Sequence, residues 1–170
     1  MTIKLMELYN QIKNNYIIYC DLDGTLIDFD GQFKKYSGGI PCDDYVTKFG
    51  RNEFWEIINE AGSKFWSEIE WLPDGKQLWN YIKPYNPIIL TSPSYDKSSE
   101  IGKKEWMEKH LPGVEMILCY AKDKKQYASP TTILIDDSYD NIYQWESAGG
   151  IAILHTNTKN TIEQLKKLGL

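Results

Sequence analysis

Short apolar runs alternate along the chain with segments in which apolar residues recur at helical spacing. The apolar runs cover residues 16–20, 87–91, 114–119, 131–135 and 151–154, and each has the length of one buried strand. Helical spacing, together with start and stop signals, predicts helices over residues 4–14, 75–82, 98–110, 139–147 and 160–168. Asp74 is expected to cap the helix that begins at Gly75. Strands that alternate with helices predict an α/β fold with a mostly parallel sheet covered on both faces.

The segment between the first two strands breaks this alternation. Residues 28–72 are polar and rich in aromatic side chains, with a breaker at residues 38–41 and a predicted helix around residues 54–58. We therefore expect a core domain built from residues 1–27 and 73–170, and an insertion over its site built from residues 28–72.

Composition and charge limit the classes of function. A length of 170 residues fits one main domain, and a net charge of -5 provides no overall positive field for gripping a nucleic-acid backbone. No stable nucleic-acid partner is expected. The three cysteines form no CxxC or metal-type spacing, which favours reduced packing residues and a cytoplasmic location. No apolar run approaches the roughly 20 residues of a membrane helix, so no membrane partner is expected.

Polar side chains follow three of the predicted strands directly. Asp21 and Asp23 follow the first strand, Thr91 and Ser92 end the second, and the pair Asp136-Asp137 follows residues 131–135. In an open α/β sheet, reactive groups lie outside the carboxyl ends of the strands, so these side chains are expected to face one crevice. A DxDG string alone is also compatible with a turn, because Asp and Gly are favoured where the backbone reverses.

The run Asp21-Leu22-Asp23-Gly24-Thr25-Leu26, with Thr91-Ser92, downstream lysines and Asp136-Asp137, resembles the haloacid dehalogenase superfamily of phosphohydrolases. The resemblance implies a Rossmann-like three-layer fold in which Asp21 is the nucleophile and forms an aspartyl-phosphate. Asp23 would protonate the leaving alcohol and later deprotonate the attacking water. The presence of Asp23 favours ester hydrolysis over dehalogenation.

Carboxylates crowded beside a dianionic substrate require a hard divalent cation, and Mg²⁺ is the natural one. The resemblance implies that the Asp21 carboxylate, the Asp23 backbone carbonyl and Asp136 bind it. Asp137 is interpreted either as a further ligand or as a helix cap or outer acceptor. Thr91 would donate to a phosphoryl oxygen with Ser92 as its companion, although Ser92-Pro93 also suits a plain turn.

The superfamily also requires a lysine that neutralises the nucleophile and the phosphate. Lys124 is the preferred residue. Lys122, Lys125 and Lys103 are the alternatives, because most lysines in such runs are solvated charges.

The insertion resembles the small helical cap of the 5'(3')-deoxyribonucleotidases within that superfamily, and the likeness extends from about Tyr16 to His155. It implies that Phe29, Phe54 and Trp55 line a cage around a pyrimidine base, although each aromatic residue also suits core packing. The expected activity is Mg²⁺-dependent dephosphorylation of nucleoside monophosphates. The alternatives are another small phosphate ester, 3'-phosphate ends of nucleic acid, and a non-catalytic binding module. Members of the family can be dimers, so a homodimer is left open.

Overall fold

Five parallel strands form the sheet of the computed structural model, which describes residues 16–170. The strands are β1 Ile17–Cys20, β2 Ile88–Thr91, β3 Met116–Leu118, β4 Thr132–Asp136 and β5 Ile151–Leu154, in the spatial order β3-β2-β1-β4-β5. Every pairing is parallel. The α/β prediction is confirmed. The helix predicted over residues 4–14 lies outside the described residues.

The described part of the chain forms eight α-helices and two short 3-10 helices. They are α1 Phe29–Tyr36, α2 Cys42–Phe49, α3 Arg51–Ala61, α4 Ser63–Ser67, α5 Gly75–Ile82, α6 Ser98–His110, α7 Tyr139–Ser147 and α8 Thr158–Lys167, with 3-10 helices Lys83–Tyr85 and Ala121–Tyr127. The predicted bounds of α5, α6 and α7 are confirmed. Strand β3 is shorter than the apolar run, residues 114–119, that predicted it. Among residues 16–170, no helix is long and apolar enough to cross a bilayer.

The register of the central strands brings their carboxyl ends to one edge of the sheet. Cys20, the last residue of β1, pairs with Ile89 on one side and with Ile135 on the other. The amide of Asp21 then donates to the Ile135 carbonyl at 2.8 Å. Chain order runs outward from β1 to β3 on one side and restarts at β4 on the other, so the crevice opens beside β1.

The cap of α5 differs from the one that the sequence suggested. Asp74 precedes the helix, but its side chain makes no capping hydrogen bond there. Its Oδ2 instead accepts from the amide of Thr158, the first residue of α8, at 2.9 Å. This bond from the Thr158 amide lowers the pKa of Asp74. The carboxylate joins the starts of two helices that are distant in sequence and packed together in space.

Helices α1 to α4 all lie within residues 28–72, the segment predicted to be an insertion, which we call the helical insertion. Asp28 donates through its amide to the Glu70 carbonyl at 2.8 Å, and the Leu72 amide donates to the Leu26 carbonyl at 2.9 Å. Helix α4 packs on α6 at Gly102, where an added Cβ would lie 2.3 Å from the Ser63 carbonyl oxygen. A glycine in α6 therefore lets the insertion approach the core closely.

Candidate active site

The polar side chains that the sequence placed after three strands do lie at one edge of the sheet. Asp21 follows β1, Thr91 ends β2 and Asp136 ends β4, and all three are buried. Strand β1 lies between β2 and β4, so Asp21 occupies the centre of the group. The predicted convergence on one crevice agrees with the structure.

Three carboxylates form a compact acidic group beside Asp21. Asp21, Asp136 and Asp137 each offer an oxygen, and these oxygens lie within 4.8 Å of one another. An all-oxygen donor set of this size fits a hard divalent cation such as Mg²⁺. Burial and then the charge of Asp21 raise the pKa of Asp136, while Lys124 opposes the shift. Asp137 is exposed, yet desolvation by its surroundings, followed by the charges of Asp21 and Asp136, raises its pKa to about 7.

Asp137 does not cap α7, which was one of its two interpretations. The cap is Ser138, whose side chain accepts from the Asn141 amide. Asp137 instead reaches over Gly24, whose φ of 71° suits glycine and whose added Cβ would lie 2.1 Å from Oδ2 of Asp137. The DxDG string therefore provides the space that the Asp137 carboxylate occupies.

Lys124, the preferred lysine of the sequence analysis, is 1% exposed and lies between two carboxylates. Its Nζ is 2.7 Å from Oδ2 of Asp136 and 3.1 Å from Oδ1 of Asp21. Burial lowers the pKa of Lys124, but the charges of the two carboxylates outweigh it and raise the pKa. Its neighbours Lys122 and Lys125 in the same 3-10 helix are exposed.

A second buried lysine, Lys103, lies on the other side of Asp23. Its Nζ pairs with Oδ2 of Asp23, donates to Thr91 Oγ1 at 2.7 Å and donates to the Ser92 carbonyl at 2.9 Å. Sequence reasoning kept Lys103 only as an alternative to Lys124, whereas the structure brings both lysines to the site. The missed signal is the position of Lys103 on the buried face of α6, four residues before the buried Met107.

Asp23 has one oxygen with a partner and one without. Lys103 holds Oδ2, while Oδ1 is buried and has no hydrogen-bond partner among the described residues. Burial raises the pKa of Asp23, against the opposing charge of Lys103, and the charge of Asp21 adds to the rise. A carboxyl group that is held in place and retains its proton more readily than usual suits an acid–base role.

Asn141 is a site residue that the sequence analysis missed. Its side-chain amide donates to both carboxylate oxygens of Asp136 at 3.0 Å, and the Ser138 amide donates to Oδ1 at 2.8 Å. These donors fix the orientation of a fully buried carboxylate. The available signal was the position of Asn141 on the first turn of α7, which points back at the end of β4.

Two cavities meet at Asp23 and Phe29. The first, of about 490 Å³, is acidic, and its lining includes Asp21 and Asp137. The second, of about 600 Å³, we call the aromatic cavity. Its lining residues are Asp23, Phe29, Arg51, Trp55, Trp66, Ser92, Pro93, Ser94, Tyr95, Tyr120, Ala121 and Lys122. Asp23 therefore faces both the acidic group and an apolar compartment large enough for a small organic ligand.

The three aromatic residues assigned to a base cage do not lie together in this cavity. Phe29 and Trp55 line it. Phe54 is 7% exposed and packs within the insertion, with its ring centroid 4.6 Å from that of Phe33. It lies one position from Trp55 on α3, which turns the two side chains to different faces of the helix. Phe54 therefore supports the wall rather than lining it.

Three solved structures with a similar fold are described as hydrolases. One is a "Had-superfamily hydrolase" from Ehrlichia chaffeensis, with a TM-score of 0.56 and 14% identity over 91% of this chain and 97% of that one. A "hydrolase" from Streptococcus pneumoniae TIGR4 has a TM-score of 0.57 and 19% identity over 89% and 99% of the two chains. A haloacid dehalogenase-like hydrolase from Xanthomonas campestris has a TM-score of 0.57 and 10% identity over 90% and 91%. These similarities show that the chain shares the fold of these hydrolases.

The family comparison covers nearly the whole chain. No curated protein matches the sequence. The model of the family described as "5' nucleotidase, deoxy (Pyrimidine), cytosolic type C protein" matches residues 15–167, which includes the whole site and the helical insertion. The chain therefore belongs to this 5' nucleotidase family, and it is a phosphatase with the haloacid dehalogenase fold.

Proposed function

We propose that this phosphatase is a Mg²⁺-dependent 5'-nucleotidase that dephosphorylates (deoxy)ribonucleoside monophosphates, with a preference for pyrimidine nucleotides. The observation that carries the proposal is the position of Asp23, between the acidic group at Asp21 and the aromatic cavity. A phosphate bound at Asp21 then has its leaving group on the Asp23 side, where aromatic walls are present. The description of the matching family supports the nucleotide substrate.

Asp21 is suited to attack phosphorus. Its Oδ1 accepts from the Leu22 amide at 2.8 Å and lies 3.1 Å from Lys124 Nζ, so the carboxylate is held in one orientation. Among the described residues no donor reaches Oδ2, which is left to form the bond to phosphorus. When bound by Asp21, Asp136 and Asp137, Mg²⁺ would supply positive charge that lets an anion approach the phosphate.

Asp23 is the residue that transfers protons in the proposed reaction. As the ester P–O bond breaks and the bond from Asp21 to phosphorus forms, Asp23 gives its proton to the departing alcohol oxygen. Asp23 then takes a proton from a water molecule whose oxygen attacks phosphorus. The Asp21–phosphorus bond breaks, and inorganic phosphate and free Asp21 remain. Lys103 holds Asp23 in place for both steps and, with Thr91, provides donors beside the phosphoryl oxygens.

The helical insertion is proposed to act as a cap over this chemistry. It brings Phe29, Arg51, Trp55 and Trp66 to the aromatic cavity, so part of the wall around the leaving group comes from outside the core. A covered site favours a small ester over a polymer and excludes water from the phosphoryl group. The word cytosolic in the family description and the free Cys20, Cys42 and Cys119 support a cytoplasmic site of action.

The test is phosphate release from a panel of esters with Mg²⁺ and with a chelator. We expect thymidine and deoxyuridine 5'-monophosphates to be hydrolysed only with Mg²⁺, and faster than deoxyribose 5-phosphate or a 3'-phosphorylated oligonucleotide. Asp21→Asn should abolish the activity. Asp23→Asn should slow nucleotide hydrolysis by about 10²- to 10⁴-fold but slow p-nitrophenyl phosphate less, because its leaving group needs no proton. Full activity in chelator, or a preference for the sugar phosphate, would contradict the proposal.

A further inference from the structure

The aromatic cavity has a second wall, which comes from loops of the core. Tyr95 lies four residues after the end of β2, and Tyr120 lies two residues after the end of β3. Both line the cavity, and their rings pair with centroids 5.7 Å apart and planes inclined by 35°. We call this pair the tyrosine wall. The other aromatic residues of the cavity, Phe29, Trp55 and Trp66, come from the helical insertion.

Core packing does not account for the tyrosine wall. Tyr95 is 96% exposed and Tyr120 is 42% exposed, so neither ring is buried in the hydrophobic core. A single exposed aromatic residue is unremarkable in a folded protein. Two paired rings that line the same cavity are different, because they offer adjacent aromatic faces to a ligand that enters it.

The loops that carry the tyrosine wall are braced by local hydrogen bonds. The Ser94 amide donates to Ser99 Oγ at 2.9 Å, next to Tyr95 in the chain. The Tyr120 carbonyl accepts from the Asp123 amide at 2.8 Å. These bonds hold the loop backbone, so a ligand that stacks on the rings does not have to order the loops first.

We propose that the tyrosine wall stacks on the base of the nucleotide and makes the enzyme selective for phosphomonoesters whose leaving group carries a planar ring. This inference rests on the proposed nucleotidase function. The base contacts expected from the sequence, Phe29 and Trp55, lie on the helical insertion, whereas Tyr95 and Tyr120 lie on loops of the core. Any base offers a π face, so the wall selects for a ring rather than for one base.

The experiment compares Tyr95→Ala and Tyr120→Ala with Tyr95→Phe, in the full chain, on thymidine 5'-monophosphate and on deoxyribose 5-phosphate. The alanine variants should raise KM for the nucleotide about five- to 150-fold, the loss expected for one base-stacking contact. KM for the base-free ester and kcat for both esters should stay unchanged. Tyr95→Phe keeps the ring and should stay within about twofold of the wild type. Tyr143→Ala removes a tyrosine that is 65% exposed on α7, away from the cavity lining, and should change neither KM.

Four results would overturn the inference. An equal KM increase on both esters would show loop damage, and an increase with Tyr143→Ala would show a non-specific effect. If Tyr95→Ala and Tyr120→Ala keep the wild-type preference for the nucleotide, the stacking role of the tyrosine wall is wrong, but the proposed nucleotidase function is not affected. If the wild-type enzyme does not prefer thymidine 5'-monophosphate over the base-free ester, both the stacking role and the proposed function are wrong.

Discussion

The ammonium of Lys124 lies 2.7 Å from Oδ2 of Asp136, and both side chains are almost completely buried. The same ammonium lies 3.1 Å from Asp21, so one cation compensates two carboxylates at the centre of the sheet edge. The Asn141 amide and the Ser138 amide hold Asp136 from the other side. We therefore propose that Lys124 is part of the phosphate site and that its charge stabilises the acidic group.

Replacing this cation should damage activity and stability together. Lys124→Met leaves two buried carboxylates without their compensating charge, so we expect kcat/KM to fall at least about 100-fold. The free energy of unfolding without Mg²⁺ should fall by about 3 kcal/mol, the usual loss when one partner of a buried pair is removed. Steady-state kinetics and urea denaturation measure the two effects. Lys125→Met, at the exposed neighbouring lysine, is the control and should stay within about 0.5 kcal/mol of the wild type. A larger loss of activity and stability in Lys125→Met than in Lys124→Met would contradict the role given to Lys124.

Gly24 is expected to control the position of Asp137. An alanine there would place Cβ 2.1 Å from Oδ2 of Asp137 and displace the carboxylate from the acidic group. We expect Gly24→Ala to raise the Mg²⁺ concentration for half-maximal activity about tenfold, within the range found when groups that orient metal ligands are changed. Gly38→Ala is the matched control, since Gly38 has a nearly identical φ of 70° but nothing within 4 Å of its added Cβ. Both variants should lose about 1 kcal/mol from backbone strain, but only Gly24→Ala should alter the Mg²⁺ requirement. Equal Mg²⁺ requirements in the two variants would contradict this role.

The raised pKa of Asp137 predicts how stability depends on pH when no metal is bound. The pKa of Asp137 is about 7 in the folded protein, against 3.8 for an unperturbed Asp. Between these values the folded chain holds a proton that the unfolded chain has lost, so this carboxyl group makes the free energy of unfolding decrease as pH rises. The measurement is urea denaturation of the wild type and of Asp137→Asn in chelator. The free energy of unfolding of the wild type minus that of the variant should decrease from about pH 4 to about pH 7.

Addition of the metal provides a second test of the raised pKa of Asp137. Adding Mg²⁺ at about pH 8 should stabilise the wild type, because the ion binds only the folded chain. A wild-type minus Asp137→Asn difference that increases with pH in chelator would contradict the raised pKa.

The sequence by itself determined the sheet and the centre of the site. Continuous apolar runs that end in Asp21, Thr91 and Asp136 can be recognised because a buried parallel strand leaves a local pattern, and the polar group after it marks the carboxyl end. Helices α5 to α7 were predictable for the same reason, since helical periodicity acts over a few residues. Lys124 was preferred over Lys122, Lys125 and Lys103 as the lysine that the family resemblance requires.

Tertiary structure decided what depends on contacts between distant segments. Lys103 pairs with Asp23 across 80 residues of sequence, and Asp74 accepts from the first amide of α8 across 84. Phe54 and Trp55 are adjacent in the chain and equally aromatic, yet one packs inside the insertion and the other lines the cavity. The pairing of Tyr95 with Tyr120 depends on the neighbouring positions of β2 and β3. Such partners are chosen by the three-dimensional packing of helices and strands, and no pattern within one segment carries that information.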